Sequence, residues 1–323
     1  MTSSRYQPTS LREAARIAAV LAESPASYKA VHRAVGAAWT HGLTLGALFG
    51  LPLEELVCIP EMTCGSMARI TGLIADCGED RVDEMEQLMR ELTKANVRVC
   101  TAWHDAYPVA LREGLGMHAP PLLFLVGDES VLQRPGLGIV GTTKPAPATV
   151  DFAAGCADAA ADLGYAIVSG GATGVDTIAQ RSARHVNGGV LQVLPNGLPF
   201  PPDSAYEILP NALTVTPYLP NEAWAAYRAI NRNDIIASLS RAVCVLEPRR
   251  NEGAARTARV ALGQAKPVWV YPHAGSGPDA LRELGAECAP MRPGGSLDGE
   301  RFRAQLTDLP APRTQVSIQG ELF

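Results

Sequence analysis

The spacing of apolar side chains changes near residue 97, and the two patterns predict two kinds of structure. Before that point, apolar residues recur every three or four positions, which places them on one face of a helix. The clearest stripes are Leu11, Ala15, Ala18 and Leu21, and Val82, Met85, Met89 and Leu92. We expect residues 1–96 to form a small all-helical N-terminal domain.

After residue 97, short apolar and β-branched runs alternate with helical stretches. Strands are predicted at 97–100, 122–126, 137–141, 166–169, 190–194, 242–247 and 267–271, and helices at 148–163, 176–188 and 253–264. Strands that alternate with helices of this length form a doubly wound, mostly parallel sheet with right-handed crossovers. We predict an α/β, Rossmann-like domain over residues 97–274, with ligands at the carboxyl ends of its strands.

The last part of the chain, residues 275–323, is rich in glycine, proline and serine. This composition predicts a linker-like tail with one short helix at 299–306. The tail ends on a short segment, 319–323, whose last two side chains are large and apolar.

A glycine-rich loop is the most informative feature of the predicted sheet. The short run Ile167-Val168 leads into residues 169–174, which contain Ser169, Gly170, Gly171, Thr173 and Gly174, and a helix then begins. A strand, a glycine turn and a helix N-terminus together favour a bound anion, because backbone N–H groups and the helix dipole face the ligand. The alternative is a tight turn without a ligand. Asp176, in the first turn of that helix, either caps the helix or contacts the ligand.

Other loops are predicted at the same edge of the sheet. They cover residues 141–144, 196–197 and 247–253. The candidate anion-binding residues that they add are Gly141, Thr142, Thr143, Lys144, Asn196, Gly197 and Gly253. Glu247 also ends a strand at this edge, but no histidine or second acid stands at a spacing that completes a hydrolytic site, and no catalytic residue is predicted.

Charge and cysteine usage restrict the class of protein. The net charge of −5 and the isoelectric point near 5.7 argue against a uniformly basic nucleic-acid coat, although a local patch is compatible with them. Seven cysteines without a C-x-x-C pair are typical of reduced thiols in a cytoplasmic protein, and they predict neither a disulfide framework nor a zinc site. No apolar run approaches ~18 residues, so no membrane span is expected.

The segment 222–260 is the most basic stretch, with seven arginines. Arg232 is the candidate phosphate contact, and Asn233 is a candidate contact to sugar or base or a helix cap, both placed just before an apolar helix. Trp224 and Tyr227 lie four and five residues before arginines, where they either stack on bases or pack in the core. Core packing is the favoured interpretation.

The order of several segments resembles the DNA-processing protein A (DprA/Smf) family. The resemblance covers about residues 100–272 and rests on residues 107–111, 120–127, 138–141, 169–176, 196–198, 232–240, 245–247 and 253–258. It implies single-stranded DNA binding on a Rossmann-like domain, without catalysis or cofactor, and it implies a RecA-type recombinase as partner and a homodimer. It also adds Glu252, Ala254 and Thr257 to the candidate site.

The chain departs from the family pattern at positions that bear charge. Thr143 and Asp234 stand where the family has arginine, Gln180 where it has histidine, and Glu252 where it has serine. Each lost cation weakens contact with phosphate and each added anion repels it. A sensor of a small nucleotide derivative is therefore the second hypothesis. A phosphoribohydrolase of the LOG type is disfavoured, because its P-G-G-x-G-T-x-x-E motif is absent.

The C-terminal segment resembles the short Q-x-x-L-F peptide with which bacterial replication and repair proteins bind the sliding clamp. Gln319, Leu322 and Phe323 carry the resemblance. The resemblance implies docking of the two apolar side chains in a pocket of the clamp. The alternatives are that these side chains fold back onto the protein's own core, or that the match is accidental.

Overall fold

Helices fill the N-terminal third of the protein. The structure is a computed structural model that describes residues 10–24, 28–63, 67–201, 205–249, 253–271 and 276–310. The first helices are α1 (Leu11–Glu23), α2 (Tyr28–Thr40), α3 (Leu45–Gly50), α4 (Leu53–Leu56), α5 (Met67–Asp76) and α6 (Glu79–Lys94).

The two predicted apolar stripes lie where expected, on α1 and α6, which pack against each other. Val82, Met85, Met89 and Leu92 are all buried on α6. The core that these helices form also contains Val99, Leu122 and Phe124 of the neighbouring sheet. The N-terminal helices therefore pack directly on the edge of the sheet and share its core.

The sheet has nine strands among the described residues. These are β1 (Arg98–Thr101), β2 (Leu122–Gly127), β3 (Gly136–Gly141), β4 (Ala166–Ser169), β5 (Gly189–Val193), β6 (Ala212–Thr216), β7 (Ala242–Leu246), β8 (Val268–Tyr271) and β9 (Glu287–Cys288). Their spatial order is β1-β2-β6-β5-β4-β3-β7-β8-β9. The β1–β2 and β2–β6 pairs are antiparallel and all others are parallel. The doubly wound, mostly parallel, Rossmann-like sheet is confirmed.

Helices cover both faces of this sheet. They are α7 (Val109–Leu115), α8 (Pro147–Asp162), α9 (Val175–His185), α10 (Ala226–Leu239), α11 (Gly253–Gly263), α12 (Ser276–Arg282) and α13 (Gly299–Thr307). Buried side chains of α8, α9 and α13 form one core, and those of α7, α10, α11 and α12 form the other. Both faces of the central strands are therefore apolar, as a parallel sheet requires.

Strand order reverses between β3 and β7. From β3 the chain proceeds to β4, β5 and β6 on one side, whereas from β7 it proceeds to β8 and β9 on the other. The two strands are paired in register, and Gly141 lies opposite Leu246 at their carboxyl ends. In open α/β sheets such a switch point is where ligands bind.

Two parts of the predicted architecture are corrected. Arg232 and Asn233 lie inside α10 and do not precede it. Residues 276–310 were expected to be largely linker, but α12 packs on the sheet, β9 extends the sheet beside β8, and α13 packs on α8. The short helix predicted at 299–306 is confirmed. Within the described ranges, no helix is long and apolar enough to cross a membrane.

Candidate nucleic-acid interface

The carboxyl ends of β3, β4 and β7 carry the loops that were predicted to bind an anion. Each loop leads directly into a helix, and α8, α9 and α11 begin at this edge. Helix N-termini carry unpaired N–H groups and a partial positive charge. We call the space between these loops the switch-point crevice.

Two glycines in the β4–α9 loop combine a positive φ with close contacts to neighbouring atoms. Gly174 has φ of +88°, and a Cβ there would lie 2.4 Å from the Thr142 carbonyl oxygen. Gly171 has φ of +69°, and its Cβ would lie 2.2 Å from the side-chain nitrogen of Gln192. The loop is therefore closed to larger residues, as its sequence predicted.

Arg232 lies beneath this loop. A Cβ at Gly170 would lie 1.1 Å from Arg232 Nη1, so the guanidinium occupies the space that a side chain would need. Arg232 is only 7% exposed, and its Nη1 donates to the Val193 carbonyl at 3.3 Å. Its Nε is buried and has no hydrogen-bond partner among the described residues. Burial lowers the pKa of Arg232, and the negative charge of Asp176 opposes that shift.

Asp176 is also buried, and it binds the loop from the inside. The Gly170 N–H donates to its carboxylate at 3.0 Å. Burial raises the pKa of Asp176, while the charge of Arg232 and the loop hydrogen bonds oppose the shift. The structure thus supports the capping interpretation of Asp176, because its carboxylate holds the loop at the start of α9.

The exposed rim of the crevice is formed by a different set of residues. Thr143, Lys144 and Thr173 are exposed, and the Thr143 backbone lies against Gly174, whose Cβ would be 2.7 Å from the Thr143 Cα. Within the described part of the chain, the Thr173 and Gly174 N–H groups make no hydrogen bond and Lys144 makes no ion pair. We call Thr143, Lys144, Thr173 and Gly174 the rim.

Asn233 connects α10 to the start of α11. Its Nδ2 donates to the Gly253 carbonyl at 3.2 Å, and the hydroxyl of the buried Thr257 donates to the same carbonyl at 3.2 Å. Ala254 is half-buried beside them. Asn233 and Thr257 therefore hold the framework of the crevice, while the candidate residue Glu252 lies outside the described residues.

The carboxylate of Asp234, which stands where the family has arginine, is neutralised locally. Arg256 Nε and Nη2 each donate to it at 2.7 Å, a bidentate ion pair between α10 and α11. The repulsion that the sequence predicted from this carboxylate is therefore reduced by a cation one helix away.

Asn196 and Gly197 follow β5 at the same edge. Asn196 Nδ2 donates to the Gly197 carbonyl, and the Gly197 N–H donates to the Glu222 carbonyl at 2.9 Å. A Cβ at Gly197 would lie 1.8 Å from the Leu219 carbonyl oxygen. This loop therefore supports the segment that leads into α10.

That segment, residues 222–230, exposes two aromatic rings beside the crevice. Trp224 is 64% exposed and Tyr227 is 53% exposed, so the favoured core interpretation was wrong. Ile230 is exposed on the same segment and was not singled out from the sequence. Because α10 runs back from the carboxyl edge to the start of β7, both rings lie at the crevice end of the helix. We call residues 222–230 the aromatic arm.

Arg228 fixes the arm from below. Its Nη2 pairs with Glu222 at 2.5 Å, and its guanidinium lies over the Tyr218 ring at 5.3 Å and the Tyr227 ring at 5.5 Å from the centroids. This arginine is thus occupied by internal contacts. Its contribution to the crevice is the position that it gives to Tyr227.

Glu247 is held away from the centre of the crevice. Its carboxylate accepts from the Ala146 N–H at 3.1 Å and from the Thr149 hydroxyl, both at the N-terminus of α8. Among the described residues, no cluster of acids, histidines and cysteines could hold a metal ion. Glu247 therefore acts as a helix cap, and the geometry gives no support for a general base.

The fold defines a class, that of Rossmann-like proteins with a doubly wound, mostly parallel sheet whose strand order reverses at a central switch point. The chain belongs to the DNA recombination-mediator protein A family, whose sequence model matches residues 98–289, more than half of its length.

Curated relatives agree with this membership. Protein Smf from Synechocystis is 33% identical over 196 residues, which are 58% of this chain and 49% of the relative. A putative DNA processing protein DprA from Mycobacterium tuberculosis is 31% identical over 227 residues, which are 64% of this chain and 57% of the relative. The chain thus spans about half the length of these relatives.

Solved structures share the fold. DprA from Streptococcus pneumoniae superposes with a TM-score of 0.70 at 21% identity, covering 94% of this chain and 99% of that one. DNA processing protein A from Helicobacter pylori, whose structure is described by its single-stranded DNA binding mode, has a TM-score of 0.55 at 25% identity. That match covers 65% of this chain and 95% of the Helicobacter chain.

Proposed function

We propose that this protein binds single-stranded DNA at the switch-point crevice and acts in DNA processing without catalysis. The rim supports the proposal: Thr173 and Lys144 are exposed, Gly174 is half-buried, and the Thr173 and Gly174 N–H groups make no hydrogen bond within the described residues. A helix N-terminus and a cation are the groups that backbone phosphates require. Family membership and the single-stranded DNA binding of the Helicobacter relative support the choice of ligand.

Arg232 assists from below the loop. A buried guanidinium with an unpartnered Nε places positive charge under Gly170, and it interacts there with the buried carboxylate of Asp176. In a region of low dielectric such a charge acts strongly on a phosphate at the loop surface. We therefore assign two roles to Arg232. It positions the β4–α9 loop, and its positive charge attracts a phosphate at the loop surface.

The aromatic arm supplies a preference for single strands. Bases of a single strand are free to stack on Trp224 and Tyr227, whereas bases of a duplex are already stacked and paired. Phosphate on the rim and bases on the arm together describe a groove that follows one strand.

Fluorescence anisotropy with labelled oligo-dT at several salt concentrations tests the proposal. We expect binding that weakens steeply with salt, and we expect Lys144→Ala to weaken it further. Lys94→Ala, which removes an exposed lysine on α6 that pairs with Glu91, is the matched control and should bind as the wild type does. Competition by a mononucleotide at equal phosphate concentration would instead support a nucleotide sensor. Absence of binding by the wild type would contradict the proposal.

We also propose that the protein acts with a RecA-type recombinase, forms a homodimer and is located in the cytoplasm. The family's description as a recombination mediator supports the recombinase as partner. Co-sedimentation with recombinase filaments on single-stranded DNA, and sedimentation velocity of the protein alone, are the direct measurements. Failure of the filament to recruit the protein would remove the recombinase from the proposal.

The sliding clamp remains a predicted partner. Gln319, Leu322 and Phe323 lie outside the described residues. The last described residues approach the amino edge of the sheet, because Arg241, next to the start of β7, donates to the Leu309 carbonyl at 2.9 Å. A tail that leaves from this edge starts opposite the crevice. We expect the clamp to be recovered by the full chain and not by one that ends at Ser317, and equal recovery would contradict this prediction.

A further inference from the structure

The N-terminus of α8 has an internal anion bound to it. α8 follows β3, the strand at which the sheet changes direction, and in doubly wound sheets the first turn after such a strand holds the phosphates of a nucleotide. Here the Glu247 carboxylate accepts from the Ala146 N–H at 3.1 Å and from the buried Thr149 hydroxyl. The carboxylate thus occupies the position that a diphosphate would take.

The backbone shows that this placement is imposed by the fold. Glu247 has φ of +49°, in the left-handed region that non-glycine residues rarely adopt. That conformation, directly after β7, turns its side chain across to α8. Pro147 at the first position of α8 has no N–H, and the Thr149 N–H donates to the Ala146 carbonyl at 2.9 Å. Few donors at this helix end remain for an outside ligand.

We infer that Glu247 determines the ligand class of the crevice by excluding nucleoside diphosphates and dinucleotides from the α8 side. The rim at the start of α9 then remains available to a phosphodiester backbone. This second part of the inference rests on the proposed function. The exclusion itself does not, because it concerns only the competition between one carboxylate and a diphosphate for the same helix end. A like charge at hydrogen-bond distance from the site repels any incoming phosphate.

Two variants test the inference, with ADP as the probe and equilibrium dialysis or calorimetry as the readout. Glu247→Gly empties the helix end and suits the positive φ, and we expect its Kd for ADP to fall by about tenfold or more relative to the wild type. Glu247→Gln keeps the shape and removes the charge, and we expect an intermediate gain. Glu129→Gln removes an exposed carboxylate at the opposite edge of the sheet and should bind ADP as the wild type does.

The outcomes separate the two proposals. If ADP binds the wild type as well as it binds both Glu247 variants, or binds none of them at millimolar concentration, the inference is wrong. Thermal denaturation shows whether Glu247→Gly folds. If it does not fold, the ADP affinity of Glu247→Gln alone tests the inference. Gain of ADP binding by the variants with no oligo-dT binding by any of the proteins would support the inference and contradict the proposed function.

Discussion

The buried position of Arg232 changes what this residue is expected to do. Its sequence context suggested a surface phosphate contact, which would affect DNA binding much more than folding. The structure places the guanidinium under Gly170 and near the carboxylate of Asp176, with the side chain 7% exposed. A residue in this position supports the loop as well as any ligand that the loop binds.

Arg232→Ala is therefore expected to reduce both stability and affinity for single-stranded DNA. Removing the guanidinium takes away the positive charge that stabilises the buried Asp176 carboxylate, and leaving a buried charge uncompensated costs about 3 kcal/mol in the free energy of unfolding. Chemical denaturation and anisotropy measure the two effects. Arg256→Ala, which removes an exposed guanidinium from the neighbouring pair with Asp234, is the control and should cost far less. Wild-type stability of Arg232→Ala would contradict the buried role.

Gly174 tests the shape of the loop. Gly174→Val places a Cβ 2.4 Å from the Thr142 carbonyl oxygen at φ of +88°, and strain of this kind costs roughly 1–3 kcal/mol before the clash is counted. We expect a lower melting temperature and weaker DNA binding. Gly164→Val is matched, because Gly164 has φ of +77° but no atom within 4 Å of its Cβ position. A melting temperature for Gly174→Val no lower than that of Gly164→Val would show that the close contact is unimportant.

At the scale of elements, α10 connects the parts of the crevice. Arg232 reaches the β4–α9 loop, the adjacent Asn233 reaches α11, and the aromatic arm includes the first turn of the helix. Because consecutive helical residues point about 100° apart, one dipeptide can contact two neighbouring loops. The helix therefore sets the distance between the base-stacking surface and the phosphate-binding rim.

Trp224→Ala and Tyr227→Ala test the arm. We expect each to weaken oligo-dT binding by roughly 1–3 kcal/mol while the salt dependence stays unchanged, because stacking releases no counterions. Anisotropy at three salt concentrations measures both quantities. Trp39→Ala is the control, since Trp39 is also exposed but lies on α2. An altered salt dependence with unchanged affinity would contradict stacking.

The contact between α2 and the segment that connects β1 to β2 predicts a pH dependence. His32 Nε2 lies 2.9 Å from the Ala119 carbonyl, its ring packs on Trp103, and burial lowers its pKa below the usual value near 6.5. The unfolded chain then binds a proton at a higher pH than the folded one does. Stability should therefore decrease as pH falls below about 6.5.

His32→Gln isolates this effect. Glutamine can still donate to the Ala119 carbonyl but does not titrate, so the variant should lose less stability than the wild type between about pH 7 and pH 5. Urea denaturation at each pH measures the difference. Identical pH profiles for the two proteins would rule out His32 as the source.

Element prediction succeeded where the hydrophobic pattern was strong. The apolar strands β2, β3, β4, β5, β7 and β8 and the helices α8, α9, α11 and α13 were predicted within a few residues. The elements that were missed or misplaced are β6, β9, α7, α10 and α12. Of these, β9 has two exposed residues, α10 buries Arg232 and Asn233, and β6 and α7 are short, with five and seven residues. A polar residue buried by tertiary contacts has no signature in the local sequence.

The sequence predicted which loops form the candidate site, but not what each side chain in these loops does. Spacing placed the glycines and Lys144 at one edge of the sheet, and the structure has their loops at the carboxyl ends of the strands. Spacing alone could not show that the Asp176 and Asn233 side chains are buried, or that the Trp224 and Tyr227 rings are exposed to solvent. Burial and exposure depend on packing between distant segments, such as the contact of Glu222 with the loop at Gly197.

For the whole molecule, an acidic protein is proposed to bind a polyanion. The net charge of −5 opposes association at long range, so binding depends on local cations and oriented N–H groups. Exposed carboxylates on α6 lie in the N-terminal helices, and Glu79 and Asp83 among them pair with Arg12. The carboxylates at the crevice itself are held by internal contacts, since Asp234 pairs with Arg256 and Glu247 accepts from the N-terminus of α8.

The most direct test of the central claim is the salt dependence of oligo-dT binding by the wild type and Lys144→Ala, measured beside a duplex of the same length. We predict that the wild type prefers the single strand. We also predict that Lys144→Ala lowers the affinity and reduces the slope of log K against log salt by about 0.7, the value for one phosphate contact on a single strand, with an unchanged melting temperature. Equal affinity and slope for the two proteins, or equal binding of single strand and duplex, would contradict the central claim.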